Sequence, residues 1–187
     1  MNNNNAVNSY IKNQLKDFNS DFINCVCRCF NLLEQMKEPN GCLSNTAALF
    51  VCAKEYGYNP EICFGLCEFD GKQFYHAWLS INETIIDIAI YGNVNYSPYS
   101  MWKFKLKTPY IGSYDEANMH YGKFEFDNDW NKSDISQVEG WSLEKYMNES
   151  PQSVMWIICC MFLGKEPTPS YIKHLKEHVK GIKLVRK

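Results

Sequence analysis

A chain of 187 residues has the usual size of one domain and can bury enough apolar surface to fold without disulfides or a structural metal. With 45% hydrophobic, 15% aromatic and 21% charged residues, it has the composition of a folded protein with an aromatic core, not of a disordered one. Its formal net charge of -2 gives no electrostatic signature of binding to nucleic acid or to an anionic membrane.

The opening Met1-Asn2-Asn3-Asn4-Asn5 lacks the basic region and apolar core of an export signal and is no lipidation site, so cytoplasmic residence is expected, with residues 1–8 disordered. From Ser9 to Lys37, Ile11, Leu15, Phe18, Phe22, Val26, Phe30, Leu33 and Met36 recur at steps of three and four, the period of one amphipathic helix or a pair. Pro39-Asn40-Gly41 breaks that period, and a further helix is expected over residues 42–55, stopped by Tyr56-Gly57. Beyond Pro60 the pattern becomes strand-like over residues 62–69, 73–81 and 84–90. Asp70-Gly71 and Asn82-Glu83 form the turns, which predicts an antiparallel meander.

Residues 91–138, rich in Tyr, Asn, Gly and Pro, are expected to be loops with one or two edge strands among the short apolar runs at 102–106 and 121–126. Helices return at 142–148, 151–163 and 169–180, with Pro151 and Pro169 suited to first turns and Gly164 and Gly181 to stops. The apolar run at 154–163 is about half the length of a membrane span and predicts a buried helix. The basic residues near the end, Lys173, Lys176, Lys180, Lys183, Arg186 and Lys187, fit a polar helix face and a solvated tail. The expected fold is α+β in a single domain, with its core at 38–92 and C-terminal helices at 140–182.

Nine cysteines, an odd number in a chain without an export signal, predict free buried thiols. Cys25, Cys27 and Cys29 lack the paired spacing of a zinc motif. His174 and His178 are four apart on a helix but have no third ligand in the sequence, so they are expected to face solvent. No metal and no cofactor are expected. GxGxxG, P-loop and GxSxG motifs are absent, which argues against dinucleotide, phosphoryl-transfer and serine-hydrolase chemistry.

Cys42, His76 and Asp87 stand apart. At a helix N-terminus the unpaired N–H groups and the helix dipole favour a thiolate, and Cys42 has that predicted position. His76 lies in the aromatic strand Phe74-Tyr75-His76-Ala77-Trp78, and Asp87 interrupts the apolar run Ile85-Ile86-Asp87-Ile88-Ala89. A buried imidazole and a buried carboxylate each need a partner, and a turn at Asn82-Glu83 would bring these two together on adjacent strands. Cys42 is then the nucleophile, His76 the base and Asp87 the orienter. An oxyanion hole would use the Cys42 N–H, with Asn40 or Gln35 as a second donor, and Tyr75 and Trp78 are candidate walls of a substrate pocket.

The order Gly41-Cys42-Leu43-Ser44-Asn45-Thr46-Ala47-Ala48-Leu49, then Tyr56-Gly57-Tyr58-Asn59-Pro60, His76-Ala77-Trp78 and Ile86-Asp87 resembles the core of the transglutaminase-like cysteine superfamily. The pattern is most similar to its bacterial branch of lasso-peptide leader-processing proteases. The resemblance implies a papain/transglutaminase-like core and gives Cys42, His76 and Asp87 the same three roles. It implies a thiol hydrolase of a peptide, protein or small amide, working through a thioester. An acyltransferase using the same triad and a non-catalytic domain on the same scaffold are the alternatives. Leu79, Ser80 and Ile81 follow the HAW tripeptide where family members commonly place an acidic residue.

Overall fold

The computed structural model describes residues 3–37, 39, 41–97, 102–149 and 154–185. Three helices come first: α1 (Asn3–Gln14), α2 (Ser20–Met36) and α3 (Cys42–Glu55). The Asn-rich start, expected to be disordered, is helical from Asn3, because Val7, Ile11 and Leu15 form a buried stripe that holds α1 in the core. The helical period is divided into a pair of helices, one of the two forms it allows. Asn19 breaks it, accepting a hydrogen bond from the Asp21 N–H at 2.8 Å as the N-cap of α2. α2 ends at Lys37, which adopts the left-handed region (φ 51°) and returns its N–H to Leu33.

α3 is apolar almost all round, with Leu43 and every residue from Thr46 to Ala53 buried, as a central helix must be. It packs against α2, against α6 (Met155–Leu163) and against a five-stranded sheet. The strands are β1 (Glu61–Phe69), β2 (Lys72–Ile81), β3 (Thr84–Asp87), β4 (Tyr110–Gly112) and β5 (His120–Tyr121), all antiparallel, in the order β4-β3-β2-β1-β5. Both hairpins form at the expected turns. Asp70-Gly71 has φ 52° and 67°, and Asn82-Glu83 has φ 49° and 65°, the paired left-handed residues that match the strand twist.

The third strand is shorter than expected. It stops at Asp87, and α4 (Ala89–Tyr96) follows, where strand and loop were anticipated. Two edge strands do form, but Trp102 packs against Phe69 and Phe74 instead of pairing as a strand. α5 (Leu143–Glu149) and α7 (Pro169–Glu177) complete the chain, with Thr168 capping α7 and Pro169 in its first turn. The proposed start of α6 at Pro151 lies outside the described residues. No helix among the described residues is long and apolar enough to cross a membrane.

Alternation in β2 divides the core. Tyr75, Ala77, Leu79 and Ile81 face α3 and the other helices, while Phe74, Trp78 and their neighbours fill a second cluster with Cys63, Cys67, Ile85, Val94 and Tyr121. Along the side of β1 away from β2, the chain after β5 stays close: the Phe124 N–H donates to the Phe64 carbonyl at 3.0 Å, and the Leu66 N–H to that of Glu125 at 2.9 Å. Gly65 makes this approach possible, since a Cβ there would meet the Gly122 carbonyl oxygen at 1.9 Å. Gly65→Ala is therefore expected to cost about 1–3 kcal/mol in a urea unfolding series, and an unchanged midpoint would refute this account of the glycine.

Candidate active site

The site begins where α3 begins. Gly41 is the N-cap, and its carbonyl accepts from both the N–H and the side-chain amide of Asn45, each at 2.9 Å. The N–H groups of Cys42 and its successors therefore stand at the open, positive end of a long buried helix. Of the nine cysteines, all free, Cys42 alone is half-buried and the other eight are buried. Tyr146 on α5 closes over the same turn, its hydroxyl 2.9 Å from that of Ser44.

His76 and Asp87 meet as the hairpin spacing predicts. In the β2–β3 register Leu79 faces Ile86 and Ser80 faces Ile85, so the next position sets Asp87 beside Trp78, diagonal to His76 on the same face. Nε2 of His76 lies 2.8 Å from Oδ2 of Asp87, with the two side chains 0% and 1% exposed. Asp87 has two more donors: the Tyr121 hydroxyl reaches Oδ2 at 2.8 Å, and the Ile90 N–H, in the first turn of α4, reaches Oδ1 at 3.0 Å. Burial, then the charge of Asp87, hold the Tyr121 hydroxyl far above its ordinary pKa, so it remains a donor.

With Nε2 engaged, the imidazole turns Nδ1 the other way, where the Asn93 side-chain amide lies at 3.4 Å. Cys42 is near enough to add to the electrostatics of the same ring. Burial alone would depress the basicity of His76. The charge and hydrogen bond of Asp87, joined by the Cys42 sulfur, outweigh it and raise the pKa to about 10. The ring is thus cationic at neutral pH, lodged between sulfur and carboxylate.

The other expected residues fare differently. Trp78 is fully buried, lies parallel to the His76 ring at 6.4 Å and gives its indole N–H to the Tyr114 hydroxyl at 3.0 Å; it walls in the imidazole and does not line an open pocket. Tyr75 points to the opposite face of β2, packs edge-on against Trp130 at 5.1 Å and hydrogen-bonds Asp127. Gln35 is exposed in the last turn of α2, and Asn40 lies outside the described residues. Asn93 and Tyr121 were missed because their stretch of sequence has no clear period. The one available signal was the carboxylate itself, which has more acceptor capacity than a single histidine can satisfy.

His174 and His178 do not point separately into solvent. Both approach Glu55 at the far end of α3, through Nε2 at 2.9 and 2.6 Å from Oε2. Cys25, Cys27 and Cys29 form no such group among the described residues; Cys27 instead faces the Asn8 carbonyl on α1.

A model of the transglutaminase-like superfamily matches residues 12–101, a stretch that takes in Cys42, His76, Asp87 and Asn93. No curated protein and no solved structure matches the chain significantly.

Folding lifts His76 from an ordinary 6.5 to about 10, so the proton it holds favours the folded state. That stabilisation is complete below pH 6.5 and is lost as the pH rises through 10. The gap in urea midpoint between the wild-type chain and His76→Gln is therefore expected to narrow steadily across this window. A gap that stays constant or widens would contradict the assignment.

Proposed function

We propose that this chain is a transglutaminase-like cysteine amidase in which Cys42 is the nucleophile, His76 the acid and base, and Asp87 the orienter. The observation that supports it most is the join between two features. The one cysteine outside the sealed core stands at the start of the central helix, and the imidazole whose basicity it helps to raise is held from behind by a buried carboxylate.

In this reading the Cys42 sulfur attacks the carbonyl carbon of an amide and the carbon–oxygen π electrons move onto oxygen. That oxyanion meets the Cys42 N–H at the positive end of α3, with the Asn40 or Gln35 side chain as the candidate second donor. The tetrahedral intermediate collapses as the imidazolium gives its proton to the leaving amine, and a thioester remains on Cys42. Neutral His76 then takes a proton from water, the hydroxide displaces the sulfur, and the acid leaves with the cysteine restored. Asp87 keeps the Nε2 side of the ring committed, so that Nδ1 faces sulfur throughout. An amine in place of water turns the same site into an acyltransferase. Within the superfamily, the order of Gly41-Cys42, His76-Ala77-Trp78 and Ile86-Asp87 is most similar to the branch of lasso-peptide leader-processing proteases, and the substrate is a peptide or another amide.

Other thiols are poor competitors. Burial pushes up Cys27, Cys29, Cys52, Cys63, Cys67, Cys159 and Cys160. Cys25, lowered chiefly by its interaction with Cys52, is 0% exposed. Iodoacetamide at mildly acidic pH should therefore label Cys42 first, and His76→Gln should slow that labelling at least about tenfold. Equal rates in the two proteins, or first labelling elsewhere, would refute the reading. On a peptide panel, mass spectrometry should find an acyl adduct on Cys42, and Cys42→Ala should lower turnover by about a thousandfold or more.

A further inference from the structure

We propose that Glu55, His174 and His178 form a binding site for a first-row divalent cation of the Zn²⁺ class, clamping α7 onto the C-terminal end of α3. Glu55 lies more than a hundred residues before the two histidines in sequence, yet one ligand atom from each of the three side chains lies within 4.8 Å of the others. His174 and His178 are four apart, and His178 keeps helical backbone (φ -67°, ψ -22°) as the C-cap of α7, so both rings leave the same helix face. Their Nε2 atoms converge on a single carboxylate oxygen, Oε2 of Glu55.

The rest of the arrangement resembles a second shell. The Tyr171 hydroxyl, one turn before His174, donates to the other carboxylate oxygen at 2.9 Å and orients the group, as partners of ligating carboxylates do. The Tyr171 and His174 rings stack at 5.7 Å, and the His174 and His178 rings meet edge-on at 5.0 Å, which limits how either imidazole can turn. Glu55 is 19% exposed, His178 24% and His174 54%, so the site is open to an ion from solvent on one side.

The donor set decides the class of ion. Two imidazoles and one carboxylate suit Zn²⁺, Co²⁺ or Ni²⁺, whereas Ca²⁺ and Mg²⁺ select oxygen ligands. Metal–ligand bonds of about 2.0–2.2 Å at tetrahedral angles hold ligand atoms about 3.4 Å apart. The nitrogen–oxygen distances of 2.9 and 2.6 Å thus need to open by less than an ångström to admit the ion. The ion takes a lone pair from each Nε2 and one from the carboxylate. In a neutral ring the displaced Nε2 proton is replaced by one on Nδ1, and a cationic ring releases its Nε2 proton to solvent. Three protein ligands leave a coordination position for water.

Along α3 the site lies thirteen residues from Cys42, about 20 Å at helical rise, so the ion acts on stability and not on the thiol. The test is Co²⁺ titration of the full chain, followed by absorption and by thermal melting. Expected are saturable one-to-one binding, visible d–d bands without a thiolate-to-cobalt charge-transfer band, and a Tm raised by about 5–10 °C at a free Co²⁺ concentration a hundredfold above Kd. Glu55→Gln and His174→Ala should each weaken binding at least about tenfold and leave iodoacetamide labelling of Cys42 unchanged. His174→Ala alters a half-exposed ring and serves even if Glu55→Gln folds poorly. A thiolate charge-transfer band, binding indifferent to His174→Ala, or the lack of a one-to-one complex would each overturn the proposal.

Discussion

Asp87 carries a carboxylate into a position that is 1% exposed, and much of the architecture follows from keeping it satisfied. Its three donors come from three elements: His76 on β2, Tyr121 on β5 and the Ile90 N–H in α4. In the order β4-β3-β2-β1-β5, Tyr121 stands three strands away from Asp87. Across a flat sheet that is about 14 Å, more than a tyrosine side chain spans. The sheet must curl until its edge strand returns towards its middle, and the concave face then needs a filling of its own. Trp78, whose ring meets that of Tyr121 at 4.9 Å, supplies it together with Cys63, Cys67 and Ile85. The second core and the carboxylate thus require the same curvature.

A buried imidazole beside that carboxylate has a clear electrostatic consequence. Desolvation opposes the charge on His76, yet the flanking carboxylate and sulfur reverse the balance. Removing Asp87 would leave the buried imidazole without its main partner, so ring and carboxylate act as one unit. α3 fits this division of labour. Its body is apolar, filled by Ala47, Ala48, Leu49, Val51 and Ala53, and its polar work is concentrated at the two ends.

How much of this was legible in the sequence depends on whether a local or a long-range constraint set each feature. Turn chemistry at Asp70-Gly71 and Asn82-Glu83 acts over two residues, and both hairpins lie where those residues stand. The pairing of His76 with Asp87 followed because strand alternation and one turn fix it. The end of β3 was not legible. Ile85-Ile86 and Ile88 continue an apolar run, but Asp87 draws the Ile90 N–H to its Oδ1, which suits the first turn of a helix and not a strand. Tyr75 and Trp78 were both plausible pocket walls by composition, but burial decided between uses: one faces the helices and the other is sealed beside the imidazole. Val7 anchors the N-terminal helix through contacts that an Asn-rich composition conceals.

Residues beyond 140, which show only helical periodicity in sequence, acquire a common purpose in three dimensions. α5 meets the first turn of α3 through Tyr146 and Ser44, and α7 meets its last turn through Tyr171, His174 and His178 on Glu55. Between these ends α6 covers the helix body, where the Cys159 and Cys52 thiols lie near each other's helix carbonyls at 3.9 Å. A helix that carries Cys42 in its first turn cannot tilt or slide without moving that sulfur relative to the His76 imidazole. Bracing α3 at both ends and along its length resists that movement, so the position of the first turn is set by packing well beyond the turn itself.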